Sequence, residues 1–389
     1  MKFGLNRSIL TMATAIAVFL MGTSAASAQT QTGTPQKPLM AEDAFKNVQV
    51  LRGIPASEFM ETMGFFAVSL TANCTTCHGD ESAGSWAKYA VDTPLKLMSR
   101  KMVIMVNLIN QTSFGGKREV TCFTCHHGSM IPRVTPTMAD VYLASFVPVE
   151  PDALLPAAKG GPTVDQIIDK YILALGGAQK LSKVTSLVAK GTSQAYAEDK
   201  YPVEIYAKAP AQLSTVVTTE SGLRTTTFDG TNGWVATLAD DKPVPLLPLI
   251  QGDLLAAKLE AQMVFPANMK QYLMDLHVTS ESSIDDKEVQ VIQGTLDGKT
   301  PVNLYFDPKT GLLVREVHYN DTKVGLAATQ VDYKDYRLLP TVGIKVPFHT
   351  TVSWLDGQTN YILSSVQPNV PIDAAKFAKP AQPKPSATP

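Results

Sequence analysis

Cys74-Thr75-Thr76-Cys77-His78, answered further along by Cys122-Phe123-Thr124-Cys125-His126, decides how this chain is read. C-x-x-C-H is the pattern of c-type haem attachment, in which two thiols bond the porphyrin vinyl groups and the adjacent His becomes an axial iron ligand. Two intervening residues make one tight turn, so both sulfurs reach the same haem edge and the His lies over the iron. The chain holds four Cys and six His, and all four Cys fall in these two pentapeptides. Disulfide pairing gives no reason for a His after each second Cys. A zinc site built from two C-x-x-C pairs also leaves both His unexplained, and a thioredoxin-like pair would want a βαβ setting that is missing here. The pattern predicts two covalently bound haem c groups, held by Cys74, Cys77 and His78 and by Cys122, Cys125 and His126.

The segments ahead of each pentapeptide suggest where second axial ligands come from. Ser57 to Leu70 reads as a helix, with Phe59, Met63, Phe66 and Leu70 on one stripe, Pro55 just ahead and Ser57 as N-cap. A helical region is expected from Asp43 onward as well. Pro94 to about Asn110 reads as another helix, with Met98, Met102, Met105 and Ile109 along one face. A Met thioether from a helix packed over the open haem face is a standard sixth ligand. Met60 or Met63 could serve the first haem, and Met98, Met102 or Met105 the second. Met also fills irregular gaps in cores, which must account for most of the five, and periodicity does not choose among them.

Upstream, Lys2 and Arg7 precede an apolar run from Ile9 to Met21, and Ala26-Ser27-Ala28 offers a small-residue cleavage site. This predicts a signal peptide over 1–28, cut after Ala28, and export to the periplasm as a soluble or membrane-peripheral protein. The apolar run is short for a membrane span. A formal net charge of −1 leaves no basic footprint for nucleic acid, and 44% hydrophobic residues suffice for substantial cores. The length suits two domains. Pro-rich sequence between Pro132 and Pro162, ending on Gly160-Gly161, divides them.

From Asn47 to Pro136 the chain resembles the cytochrome c subunit of photosynthetic reaction centres. The resemblance rests on Ser57-Glu-Phe-Met-Glu-Thr-Met63, on Arg100-Lys-Met-Val-Ile-Met105 through Asn110, and on Val120-Thr-Cys-Phe-Thr-Cys-His126 with Gly128 following. It implies repeated units of helix, turn and C-x-x-C-H, with Met63 as metal ligand beside His78 and Met102 beside His126. The best-known members carry four haems, so this chain resembles half of one. The family's loop His that ligates a distant haem is absent from Gln111–Lys117. His127 stands where the family usually has Arg, either at the haem rim or as an alternative ligand. The implied partners are redox proteins, including a membrane photosynthetic or respiratory complex.

Beyond the linker, Thr163 caps a helix whose Val164, Ile167, Ile168, Tyr171, Ile172 and Leu175 form one face, stopped by Gly176-Gly177. Roughly ten short β-type runs follow, among them Gln212–Thr218, Gly222–Phe228, Val302–Phe306 and Gly325–Tyr336, with a helix from Asp253 to Met263 between them. This predicts a strongly curved antiparallel sheet or half-barrel around a packed helix, resembling more loosely the half-barrel of periplasmic lipoprotein carriers. His277, His318 and His349 are read as structural or surface residues, and no polar constellation stands out among the strands. The whole is then a multidomain α + β chain: signal peptide 1–28, diheme cytochrome domain 29–149, linker 150–162, β-rich domain 163–377, and a Pro-rich tail 378–389 expected to be disordered.

Three functions follow. The leading one is a periplasmic diheme electron carrier without substrate turnover and with no catalytic residues. A diheme peroxidase or reductase would need an open iron and distal acid–base groups, for which His127, Glu81, Asp80 and Asp92 are at hand. A lipid-binding role, or a membrane-surface contact, would belong to the C-terminal domain.

Overall fold

Caps set the first helices. The computed structural model describes residues 37–135, 152–195, 199–237, 243–279 and 282–381; the expected signal peptide, part of the linker and most of the tail lie outside them. Helix α1 is Ala41–Ala44, α2 Ala56–Leu70, α3 Cys74–His78, α4 Pro94–Ser113 and α5 Cys122–His126. The helical region expected from Asp43 amounts only to α1. The N-cap of α2 is Pro55 and not Ser57, because the Pro55 carbonyl accepts the first helical bond, from Phe59 N at 2.9 Å. Ser57 lies inside the helix and is buried. Thr93 caps α4 by accepting from Lys96 N at 3.1 Å, with Pro94 in the first turn. Helix α4 runs three residues past the expected Asn110.

After the linker come α6 (Val164–Ala174), α7 (Ala178–Leu181) and α8 (Gln251–Met263). Thr163 Oγ1 accepts from Gln166 N at 3.2 Å and Gln166 Oε1 accepts from Thr163 N at 2.9 Å, a capping box that fixes the start of α6. Fourteen strands form one open, curved sheet among the described residues. They are β1 (Ser186–Gln194), β2 (Lys200–Lys208), β3 (Gln212–Thr219), β4 (Gly222–Phe228), β5 (Gly233–Thr237), β6 (Leu246–Leu249), β7 (Met274–Val278), β8 (Ser282–Ile284), β9 (Lys287–Thr295), β10 (Pro301–Phe306), β11 (Leu313–Asp321), β12 (Leu326–Leu339), β13 (Ile344–Trp354) and β14 (Gly357–Pro368). The order is β6-β5-β4-β3-β2-β1-β14-β13-β12-β11-β10-β9-β7, with β8 on β9.

Two antiparallel meanders are therefore joined where the first strand pairs with the last, Leu187 opposite Pro368 and Gln194 opposite Asn360. Gly191 is needed at that seam, since a Cβ there would stand 2.1 Å from the Ile362 carbonyl oxygen, beside a β-bulge. The expected count of ten strands falls short by four. Strand β14 carries Gln358, Asn360, Ser364 and Ser365 with little apolar alternation, β6 contains Pro248, and β7 and β8 are short.

One face of the sheet closes over α6 and α8. Ile167, Ile168 and Tyr171 of α6 and Leu259 of α8 share a core with Leu187, Ala207, Phe228, Ile292, Leu304 and Phe348 from strands across the sheet. Tyr171 meets Phe306 edge-on at 5.5 Å.

The first helices pack onto this sheet rather than apart from it. The β11–β12 turn, Thr322 to Gly325, reaches α2: Lys323 N donates to Glu58 Oε1 at 2.7 Å, and Val324 joins the small core of Leu51, Ile54 and Val103. Arg118 pairs with Asp321 at 2.6 Å and donates to the Thr322 carbonyl. The described residues belong to one compact unit.

Candidate haem sites

Each C-x-x-C-H is a single helical turn held by the Thr before its second Cys. Thr76 N donates to Asn73 Oδ1 at 2.9 Å, and Asn73 N donates back to Thr76 Oγ1 at 3.3 Å. At the second motif Thr121 N donates to Thr124 Oγ1 at 3.0 Å. The four thiols are unpaired. Burial pushes the Cys77 and Cys122 thiols up.

The two motif histidines share one arrangement. His78 Nδ1 lies 3.1 Å from the Tyr89 carbonyl oxygen and His126 Nδ1 lies 2.8 Å from that of Ser129. A carbonyl only accepts, so Nδ1 carries the proton in each ring and Nε2 keeps the lone pair that a metal needs. Burial lowers the His78 pKa.

Beside the first motif opens a cavity of about 530 Å³, within the ~300–1,000 Å³ of cofactor pockets. Cys74, Cys77, His78, Met60 and Met63 all line it, so the structure brings one expected ligand set around one space and leaves both Met in reach. Phe45, Phe59 and Phe66 supply apolar walls. Arg100 also lines the cavity, and its Nη1 is buried with no hydrogen-bond partner while Nη2 pairs with Asp92 at 2.8 Å. A haem propionate is the kind of anion that would satisfy that donor. The residues fit a c-type haem, which when bound supplies an iron able to take up and release one electron.

The second motif is placed differently. Helix α5 packs against the end of α2, where Gly128 N donates to the Ser69 carbonyl and Thr71 Oγ1 to the Gly128 carbonyl. Asn110 brings the chain back from α4, donating to the Val120 carbonyl at 2.7 Å and accepting from Val120 N at 2.9 Å. Cys122 borders a narrow cleft with Val103, Val106, Asn110, Arg118 and Val324; Met98, Met102, Met105 and His126 are not among its walls. Met102 is half-buried, Met98 and Met105 exposed. His127 is exposed, ends α5 in a left-handed conformation and leans on Phe123 at 5.3 Å.

Two features escaped the sequence. Asn320 Nδ2 donates to Glu61 Oε1 at 2.6 Å and to Asp253 Oδ1 at 2.7 Å, bridging α2, β11 and α8. Burial and the neighbouring Asp253 push Glu61 up to about 8. Glu316, His318 and Asn320 alternate along β11, and Glu316 accepts from Tyr333 at 3.2 Å and lies 3.3 Å from His318 Nδ1. The expectation that no polar constellation stands out among the strands is thus corrected; the spacing of two was the available signal.

Two C-x-x-C-H turns, the first beside a cavity that its own Cys and His line, are thus carried on a curved antiparallel sheet. Residues 11–144 match the family model of the photosynthetic reaction centre cytochrome C subunit. The photosynthetic reaction center cytochrome c subunit of Thermochromatium tepidum is 34% identical over 97 residues, 24% of this chain and 23% of that protein. That of Rubrivivax gelatinosus (strain NBRC 100245 / IL144) is 33% identical over 97 residues, 24% of this chain and 25% of that protein. The match thus spans about a quarter of the length of these curated relatives. A solved putative outer membrane lipoprotein-sorting protein domain from Vibrio parahaemolyticus, 10% identical, covers 55% of this chain and 97% of its own, with a TM-score of 0.37. No helix among the described residues is long and apolar enough to cross a membrane.

Proposed function

We propose that this protein is an exported diheme c-type cytochrome that carries single electrons in the periplasm. The observation that carries the reading is the doubled C-x-x-C-H turn, each with its His Nδ1 committed to a backbone carbonyl and Nε2 left free. Cys74, Cys77, His78 and Met63 would hold one haem, and Cys122, Cys125, His126 and Met102 the other. Met ligation would favour the ferrous state and leave no room for a small ligand, so the chain's own task would be to hold, orient and shield the haems while electrons pass.

In this reading residues 1–28 are a cleaved signal peptide, 29–149 the cytochrome domain, 150–162 the linker, 163–377 the sheet domain and 378–389 a tail. The sheet domain positions the haems toward redox partners, among which a membrane photosynthetic or respiratory complex is the natural candidate.

Intact-mass and haem-content measurements on protein made with its haem-attachment machinery test the count: two covalent haems per chain are expected, and one or none would overturn the proposal. A carbon monoxide difference spectrum of the reduced protein tests the closed sixth positions. Binding at one iron would move the diheme peroxidase or reductase reading to the front.

A further inference from the structure

We infer that Lys96 raises the reduction potential of the haem on Cys74 and Cys77 by sharing, with His78, the carbonyl oxygen of Tyr89. The inference rests on the diheme reading above. Lys96 Nζ donates to the Tyr89 carbonyl at 2.8 Å and to the Val91 carbonyl at 2.8 Å, and its side chain is only 13% exposed. His78 Nδ1 donates to the same Tyr89 oxygen at 3.1 Å. The Tyr89 ring lies against the His78 ring at 4.8 Å, and Trp86 stacks on Tyr89 at 5.0 Å, which keeps residue 89 beside the motif. Thr93, the N-cap of α4, donates to the Cys77 carbonyl and so ties Lys96's own helix to the haem motif.

A carbonyl oxygen has two lone pairs. An ammonium on one of them drains charge from the other, and the imidazole donor receives a weaker bond. The strength of that bond sets how much electron density the ring gives to iron: a strong acceptor makes the ring more imidazolate-like and favours ferric iron, a weak one favours ferrous. The positive charge acts in the same direction, since it opposes the extra charge of the ferric state. Asp92 offsets part of it, but sits 3.8 Å from Lys96 and 2.8 Å from Arg100, to which it is more closely bound. At the second motif the corresponding bond, from His126 to the Ser129 carbonyl, is the shorter of the two at 2.8 Å.

The test is a spectroelectrochemical titration of the purified holoprotein, which resolves two one-electron components if two haems are present. In Lys96→Met one component loses about tenfold in its reduction equilibrium constant, about 59 mV for a one-electron couple, while the other stays. Lys96→Arg keeps the charge and both components. The His78 Nδ1–H proton moves downfield in Lys96→Met as its bond strengthens, a readout that loosened packing would not give. Lys96→Gln serves as the second variant should Lys96→Met fold poorly. Two components that keep their wild-type values in Lys96→Met and Lys96→Gln would overturn the inference. So would a Lys96→Arg variant that falls as far as Lys96→Met, or two components that move together. A wild type with fewer than two covalent haems by intact mass would sink the diheme reading instead, so the two failures are told apart.

Discussion

Replacing Gly325 with Ala probes the contact by which the sheet holds α2, the helix that carries Met63. Gly325 closes the β11–β12 turn, and its φ lies outside the left-handed region, so the change adds a methyl group without backbone strain. That methyl would stand 2.3 Å from Phe65 Cε2 and 2.5 Å from Cζ, where carbon atoms prefer ~3.5–4.0 Å. The turn has little freedom to yield: Thr322 Oγ1 donates to the Gly325 carbonyl at 2.6 Å, Thr322 N donates to it at 3.0 Å, and Gly325 N donates to Thr322 Oγ1 at 3.2 Å. Phe65, 7% exposed, must therefore move.

Overpacking of this kind costs about 1–3 kcal/mol, and Phe65→Ala, which leaves a cavity, about 3–5 kcal/mol. If the two residues did not touch, the costs would add. Because they do, the space vacated by Phe65 accepts the new methyl group, and the double variant should be no less stable than Phe65→Ala alone. The coupling is then about 1–3 kcal/mol. Urea unfolding of the four holoproteins, compared by midpoint and slope, measures it. A Gly325→Ala cost that is the same with and without Phe65 would refute the packing between turn and helix.

Met63→Ala should let carbon monoxide bind one reduced haem and lower that haem's potential, whereas Met60→Ala should do neither; difference spectra and redox titrations of both variants decide between the two cavity-lining residues. Asn320→Ala removes the donor shared by Glu61 and Asp253 and should cost about 1.5–3 kcal/mol in urea unfolding at neutral pH. The Arg100 guanidinium holds the Asp92 carboxyl below the usual carboxylate range. The stability this gives is complete above the ordinary carboxylate pKa and is lost as pH falls through the lower folded value. Unfolding midpoints followed from about pH 6 to about pH 3 should therefore drop less steeply in Asp92→Asn than in the wild type.

The two C-x-x-C-H motifs, the two long helices ahead of them and the change to β-type runs after residue 185 were legible because each is written in neighbours three, four or two residues apart. A thiol–thiol–imidazole set inside five residues carries its chemistry wherever it lies. The capped start of α6 and strands such as β4 and β10 were legible for the same reason. The seam between β1 and β14 was not, because β14 is polar and its pairing with a strand over 160 residues earlier leaves no local period. Nor was the choice of Pro55 over Ser57 as the cap of α2, which depends on which carbonyl accepts the first helical bond. Only the tertiary structure placed Lys96 and His78 on one carbonyl, Arg100 with a free donor at the cavity, and Asn320 between two carboxyls from separate elements. Short-range periodicity selects elements, but the distances that set a potential or a coupling arise between side chains that meet only once those elements have packed.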